Sequence, residues 1–155
     1  MEELKKKLQD EINALEYEMR TELPKEILKA RAHGDLRENE EFHAAKERQR
    51  YVDARLSQLR VRLSELSMID INRIPRDRVG LGSRVQVLDL AKDEEMIYTL
   101  VPSEQVDVAK GLISPSSPIG QGLIGKKEGD EVTIPIPGGT RKMEILKLKT
   151  IHDED

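Results

Sequence analysis

Two apolar stripes with helical spacing dominate the first 66 residues of the chain. Both step by three or four residues, and the second steps strictly by 4, 3, 4 and 3. The first stripe is Leu4, Leu8, Ile12, Leu15, Met19, Leu23, Ile27 and Ala30, and the second is Val52, Leu56, Leu59, Leu63 and Leu66. This spacing is typical of amphipathic helices, and the second stripe matches a coiled-coil seam. Because only about eight residues near His33 separate the predicted helices, we expect an antiparallel hairpin.

Pro24 lies inside the first of these predicted helices. Proline lacks the backbone N–H of a helical hydrogen bond, and its ring clashes with the preceding turn. We therefore expect the first helix to be kinked near Leu23.

The periodicity changes to that of strands after Ser83. The segments "SRVQVLDL", "MIYTLV" and "DEVTIPIPGG" have strand composition, and "RKMEILKLKTI" completes a predicted hairpin. Val85, Val87 and Asp89 should share one face, and Ser117 followed by Pro118 predicts the start of one short helix. The expected fold is an all-α antiparallel coiled-coil hairpin over residues 1–75, a linker over 76–82 and a small α+β domain over 83–155.

Composition excludes several classes of function. The chain has no cysteine, which rules out disulfides, thiolate zinc sites and thiol nucleophiles. No apolar stretch approaches the length of a membrane span, and the N-terminus lacks the apolar run of a signal peptide, so we expect a cytoplasmic protein without a membrane partner. The net charge is −4, but residues 29–62 hold nine Lys or Arg against six Asp or Glu. This local excess of bases favours either a solvated helix surface or contact with a polyanion.

Asp35 and Glu38 stand at the bend of the predicted hairpin. An Asp with a Glu three residues later resembles a capping box, which would stabilise the start of the second helix without any further role. Alternatively, the same spacing places two carboxylates on one side of a helical turn, where they can bind a hard cation such as Mg²⁺. Two carboxylates leave the six-fold shell of Mg²⁺ incomplete, so this site would need ligands from another macromolecule that already holds metal and phosphate.

Two long motifs resemble those of one known family. "RAHGDLRENEEFHAAKERQ" resembles the tip signature of the bacterial Gre transcript-cleavage factors, and "ISPSSPIGQGLIGKKEGDEVTIPIPGG" resembles their C-terminal domain. The resemblance implies a coiled-coil hairpin, with its acidic tip near residues 33–42, inserted through the secondary channel of RNA polymerase. It also implies that residues 83–155 form an FKBP-like domain that docks at the channel entrance.

The resemblance also assigns roles to individual residues. Asp35 and Glu38 match the two catalytic acids, which hold Mg²⁺ shared with the polymerase against the nascent RNA 3′ end. Arg31, Arg37, Phe42 and Lys46 are candidate contacts to RNA or polymerase, as are Ser117 and Pro118 in the C-terminal domain. Phe42 departs from the family, which usually has tyrosine at this position, so any role of a phenolic hydroxyl is lost.

The expected function is that of a monomeric protein factor, not itself an enzyme. It would activate Mg²⁺-dependent cleavage of backtracked RNA by RNA polymerase and so rescue arrested complexes. The alternative is an inhibitor on the same scaffold that occupies the secondary channel without stimulating cleavage. The presence of both acids favours cleavage. The basic segment is modest, which resembles the GreA type.

Overall fold

The structure is a computed structural model that describes residues 1–33 and 36–153 of the 155-residue chain, without the side chains of residues 33 and 36–39. The chain forms two compact units, Met1–Ile69 and Asp70–Asp155. The first unit is helical and the second is built on a mixed sheet. No helix in the described part of the chain is long and apolar enough to cross a membrane.

The described part of the first unit contains three α-helices, α1 (Glu2–Tyr17), α2 (Leu23–His33) and α3 (Leu36–Ser67). A π-helical turn, Glu18–Glu22, connects α1 to α2. It lies directly before Pro24, where a disturbance of the helix was expected. The backbone N–H of Leu23 donates to the carbonyl of Glu18, five residues back. This wider turn accommodates a proline, which cannot donate the next helical hydrogen bond.

Helix α3 begins much earlier than the second apolar stripe indicates. Residues 36–51 carry few large apolar side chains but are rich in Glu, Ala, Lys, Arg and Gln, which have high helix propensity. Only residues 34 and 35 separate α2 from α3, so the expected separation of about eight residues was wrong.

The two stripes pack against each other and form the core of the helical unit. Leu4, Leu8, Ile12, Leu15 and Leu23 are buried with Val52, Leu56, Leu59 and Leu66, while Met19 and Leu63 are partly buried against them. Ion pairs between the helices show that they are antiparallel, because Glu11 pairs with Arg55 whereas Glu18, seven residues later, pairs with Arg48, seven residues earlier.

Residues 70–153 of the second unit form five strands and one short α-helix. The strands are β1 (Arg84–Asp89), β2 (Glu94–Leu100), β3 (Leu112–Ile113), β4 (Glu131–Ile136) and β5 (Gly139–Lys149), and the helix is α4 (Pro118–Leu123). Their order in the sheet is β3-β2-β1-β5-β4, and every neighbouring pair is antiparallel except β2 and β3. The two-residue strand β3 was missed because it is too short to show alternation.

One face of the sheet, together with α4, encloses the second core. Val85, Val87 and Asp89 are all buried, as their alternation on one strand predicts. Val79, Leu100, Ile113, Leu123, Val132, Ile134, Met143 and Ile145 complete the buried cluster. A register shift between Gln86 and Val87 interrupts the pairing of β1 with β5. On the opposite face of the sheet, Arg84, Ile97, Lys147 and Lys149 are exposed.

Candidate functional site

An aromatic ring with two cations beside it lies near the α2–α3 end of the helical unit. The guanidinium carbon of Arg31, on α2, is 5.5 Å from the centroid of the Phe42 ring on α3. The Lys46 ammonium, one turn further along α3, is 5.9 Å from the same centroid. Both distances are within the range of cation–π attraction. We call Arg31, Phe42 and Lys46 the Phe42 cluster.

Further contacts fix the orientation of this cluster. The His43 ring meets Phe42 edge-on, with centroids 6.0 Å apart and an interplanar angle of 64°. The Lys46 ammonium donates a hydrogen bond of 3.3 Å to the Gln49 side-chain oxygen. The contact between Gln49 and Lys46 was not predicted from the sequence. Their spacing of three residues on a helix would have indicated it, because side chains three residues apart are neighbours on a helix.

Small side chains form the interior near the α2–α3 end of the helical unit. Among the described side chains of residues 24–32 and 40–51, Ala30 on α2 and Ala45 on α3 are the buried ones. Alanine lets two helix backbones approach closely but contributes little apolar area. The interior here is therefore thin, and the Phe42 ring in this part of α3 is half-buried.

Arg48 is a base of this region that is already paired. Its Nε and terminal nitrogen donate to the two carboxylate oxygens of Glu18 at 2.7 and 2.8 Å, and its guanidinium lies 5.1 Å from the Tyr51 ring centroid. The hydrogen bond from Arg48 lowers the pKa of the Glu18 carboxyl and raises that of the guanidinium. Arg31 and Lys46 have no carboxylate partner among the side chains that the structure describes. They are therefore better placed than Arg48 to meet an external anion.

The side chains of the two predicted acids, Asp35 and Glu38, lie outside the described set. Asp35 lies outside the described residues. Glu38 and Arg37 belong to the first turn of α3, but their side chains are outside the described set. Their assignment therefore stays a prediction from the sequence. Among the described side chains, no group of three or more His, Asp or Glu residues could hold a metal ion.

Two family models together match most of the chain: "Transcription elongation factor, N-terminal" over residues 2–67 and "Transcription elongation factor, GreA/GreB, C-term" over residues 74–150. The chain belongs to the GreA/GreB family. The chain is 46% identical to the transcription elongation factor GreA of a Nitratiruptor species, over 92% of this chain and 86% of that protein. It is 45% identical to the GreA of Helicobacter hepaticus, over 92% of this chain and 87% of that protein.

Solved structures of related proteins are also similar to this Gre-family chain. A GreA/GreB elongation factor from Nitrosomonas europaea is 30% identical, with 61% of this chain and 78% of that chain covered and a TM-score of 0.43. The GreA factor homolog 1 of Thermus thermophilus is 23% identical, with 93% of each chain covered and a TM-score of 0.42.

Ser117 and Pro118, the predicted docking residues of this Gre-family chain, lie at the start of α4. The Ser117 hydroxyl accepts a hydrogen bond of 3.1 Å from the Gly120 N–H and donates one of 2.7 Å to the Ser114 carbonyl. This confirms the predicted N-cap, with proline at the first helical position. Because the Ser117 hydroxyl is occupied within the loop, the exposed Pro118 ring is the part of this pair available to a partner.

Proposed function

We propose that this chain is a transcription elongation factor that binds RNA polymerase and stimulates Mg²⁺-dependent cleavage of backtracked RNA, releasing arrested complexes. The observation that carries the proposal is the match of both halves of the chain to GreA/GreB factors, together with the presence of both acids of the tip signature, Asp35 and Glu38. The chain would act as a monomeric cytoplasmic factor, and the hydrolysis would belong to the polymerase.

The two units would have separate tasks in this proposal. The helical unit would act as an antiparallel coiled-coil hairpin that enters the secondary channel with its α2–α3 end foremost. Its thin interior at Ala30 and Ala45 supports this, because a narrow end suits a channel. The sheet unit would be an FKBP-like domain docked at the entrance through the loop that contains Pro118. That loop is fixed by the Ser117 cap, so it can present a defined surface.

The chemistry of the two acids suits a shared cation. Carboxylate oxygens are the ligands that Mg²⁺ prefers, and two of them leave positions for water, phosphate and polymerase groups. When bound, Mg²⁺ would supply charge stabilisation and activate water for phosphodiester displacement. Asp35 and Glu38 would contribute by holding negative charge at the hairpin end, where α3 begins and its dipole favours carboxylates.

The Phe42 cluster would position the RNA. Arg31 and Lys46 belong to different helices, yet one ring holds both cations nearby. Neither has a carboxylate partner among the described side chains, so both remain able to contact phosphates of the nascent RNA 3′ segment. Arg37, on the first turn of α3, is a further candidate for this contact.

A stalled elongation complex with 3′-backtracked, 5′-labelled RNA and Mg²⁺ tests the proposal. The wild-type chain should shorten the RNA, while Asp35→Ala and Glu38→Ala should slow cleavage by at least about 100-fold, as removal of groups that act on the transition state does. Asp53→Ala is the matched control, because Asp53 is an exposed carboxylate in the middle of α3. Each variant should still compete with wild type for the polymerase.

Three results would contradict parts of this proposal. Unchanged cleavage by both acid variants would remove the assigned roles of Asp35 and Glu38. If the wild-type chain bound the complex and blocked nucleotide addition without shortening the RNA, the inhibitor alternative would replace the cleavage proposal. Failure to bind the polymerase would remove both.

A further inference from the structure

A basic groove crosses the outer face of the sheet, on the side away from the second core. Two adjoining concavities, of about 220 and 540 Å³, share Arg84 and Ile97 in their linings. Lys147 and Lys149 line the smaller concavity, and Lys110 lines the larger. We call these five residues the basic groove.

The strand register places these side chains side by side. Arg84 on β1 is directly opposite Lys149 on β5, and Gln86 is opposite both Lys147 on β5 and Ile97 on β2. Because residues two apart on a strand share a face, the cations form a compact group around Ile97. Like charges directly opposite each other in a sheet are destabilising. The Arg84–Lys149 pair is thus an arrangement that folding alone does not favour.

No carboxylate lines the groove, although Glu128 lies beside it and accepts a 2.8 Å hydrogen bond from the Leu148 N–H. Within the described part of the chain, the four cations of the groove have no ion-pair or hydrogen-bond partner for their side chains. The nearest acid on this face of β2, Glu95, accepts a 2.7 Å hydrogen bond from Gln86. In the helical unit, by contrast, Arg48, Arg55 and Arg60 each pair with a glutamate.

Ile97 indicates which kind of anion fits. Its side chain is 47% exposed in the middle of the cationic group, although it is large and apolar. Single-stranded nucleic acid on a sheet surface is normally held by aromatic rings that stack with bases, and no aromatic residue lines this groove. In an acidic protein segment, carboxylates can pair with the cations of the groove, and an aliphatic side chain can pack against Ile97.

We propose that the basic groove is a docking site for an acidic protein segment that inserts an aliphatic side chain against Ile97. The groove lining includes no residue assigned to the cleavage role and no residue of the Pro118 loop, so the proposal goes beyond the cleavage role and does not depend on it. The groove would give the sheet unit a second contact to a partner. This contact is positively charged, although the net charge of the chain is −4.

The test uses the full chain and a fluorescein-labelled dodecapeptide with the repeat Glu-Asp-Leu-Glu as the probe. Binding is followed by fluorescence anisotropy at physiological salt, and its location by amide chemical shifts. We expect saturable binding below about 1 mM, with shifts concentrated at the groove strands. The double variant Lys147→Glu/Lys149→Glu should weaken binding about tenfold or more, since it reverses two charges of the groove.

Matched variants separate a defined site from general attraction. Lys92→Glu/Lys126→Glu makes the same change in net charge at exposed positions of the same unit outside the groove lining. It should alter the affinity less than about threefold, because distant charges are screened at this salt concentration. Ile97→Ser should weaken binding of the leucine-containing peptide but not of a peptide with serine in place of leucine. Thermal unfolding checks that each variant is folded.

Three outcomes would overturn the proposal. The first is no saturable peptide binding, and the second is equal loss of binding in the groove and control variants. The third is tighter binding of a uridine dodecamer at the same strands, which would identify a nucleic-acid surface.

Discussion

The guanidinium of Arg31 lies 5.5 Å from the centre of the Phe42 ring, although the two residues belong to opposing helices. Lys46 reaches the same ring from one turn along α3. One aromatic side chain therefore organises cations from both arms of the helical unit. The described side chains that are fully buried in this part of the unit, Ala30 and Ala45, are small, whereas the half-buried Phe42 ring is large.

Replacing Phe42 by alanine should weaken RNA cleavage without unfolding the chain. Two cation–π contacts of about 0.5–1 kcal/mol each would be lost, which corresponds to a reduction of roughly 5- to 30-fold in cleavage rate if both cations contact RNA. The rate is measured in the stalled elongation complex under single-turnover conditions.

Phe42→Tyr is the control for this prediction. It keeps the ring, so cleavage should stay within about twofold of wild type or increase. A Phe42→Ala variant as active as wild type would show that the ring only packs between the helices. The thermal midpoint of both variants distinguishes loss of positioning from loss of structure.

The core of the helical unit should be sensitive to a single large-to-small change. Leu59 is 2% exposed on the α3 stripe, so Leu59→Ala should lower the free energy of unfolding by about 2–4 kcal/mol. Val61 is 59% exposed on the same helix, and Val61→Ala should change it by less than about 0.5 kcal/mol. Urea unfolding followed by circular dichroism at 222 nm measures both, and equal effects would contradict the assignment of the stripe to the core.

The apolar periodicity predicted the two-unit plan of helices followed by strands, because it reports which faces must be buried. It also identified the buried face of β1, whereas the disturbance of the first helix was predicted from Pro24 itself. It failed over residues 36–51, where helix propensity rather than burial sets the structure. It also missed β3, whose two residues pair with β2 through backbone hydrogen bonds that leave no side-chain pattern.

The candidate site was predictable only in part. Arg31, Phe42 and Lys46 were selected by resemblance, but their convergence on one ring depends on the register of two helices, which the spacing of either helix alone does not determine. The pairing of Arg48 with Glu18 was not foreseen for the same reason. The basic groove depends on the pairing of β1 with both β2 and β5, a long-range property of the sheet.

Gly120 should not tolerate alanine. A Cβ at this position would lie 2.1 Å from the Ser114 carbonyl oxygen, well inside contact distance. The loop that contains Pro118 would have to shift, so Gly120→Ala should cost about 1–3 kcal/mol of stability and weaken binding to RNA polymerase. Gln121→Ala, at an exposed position of the same helix, is the control for calorimetry and for competition binding. A Gly120→Ala variant with normal stability would contradict this packing.

Asp89 and Arg141 form the ion pair that ties β1 to β5 at the buried end of β1. One Asp89 carboxylate oxygen accepts from the Arg141 Nε at 2.9 Å, and the other accepts from the backbone N–H groups of Ala91 and Lys92 at 3.0 and 3.2 Å. The hydrogen bond from Arg141 is the main cause that lowers the pKa of Asp89, and the two backbone donors lower it further. The same pair raises the pKa of Arg141.

Acid should therefore destabilise the sheet unit through Asp89. Because the pKa of Asp89 is lower in the folded than in the unfolded chain, its contribution is complete above the ordinary carboxyl pKa, near pH 4, and is lost as the pH falls through the lowered folded value. Asp89→Asn should reduce the thermal midpoint at pH 7 by roughly 5–10 °C, since the half-buried arginine loses its charged acceptor. It should also flatten the decline in stability below about pH 4.

Asp107→Asn is the control, because it alters a carboxylate with no ion pair among the described residues. It should leave both the midpoint and the acid decline close to wild type. Thermal unfolding followed by calorimetry between pH 2.5 and 7 measures both quantities, and an acid decline as steep in Asp89→Asn as in wild type would assign it to other carboxylates.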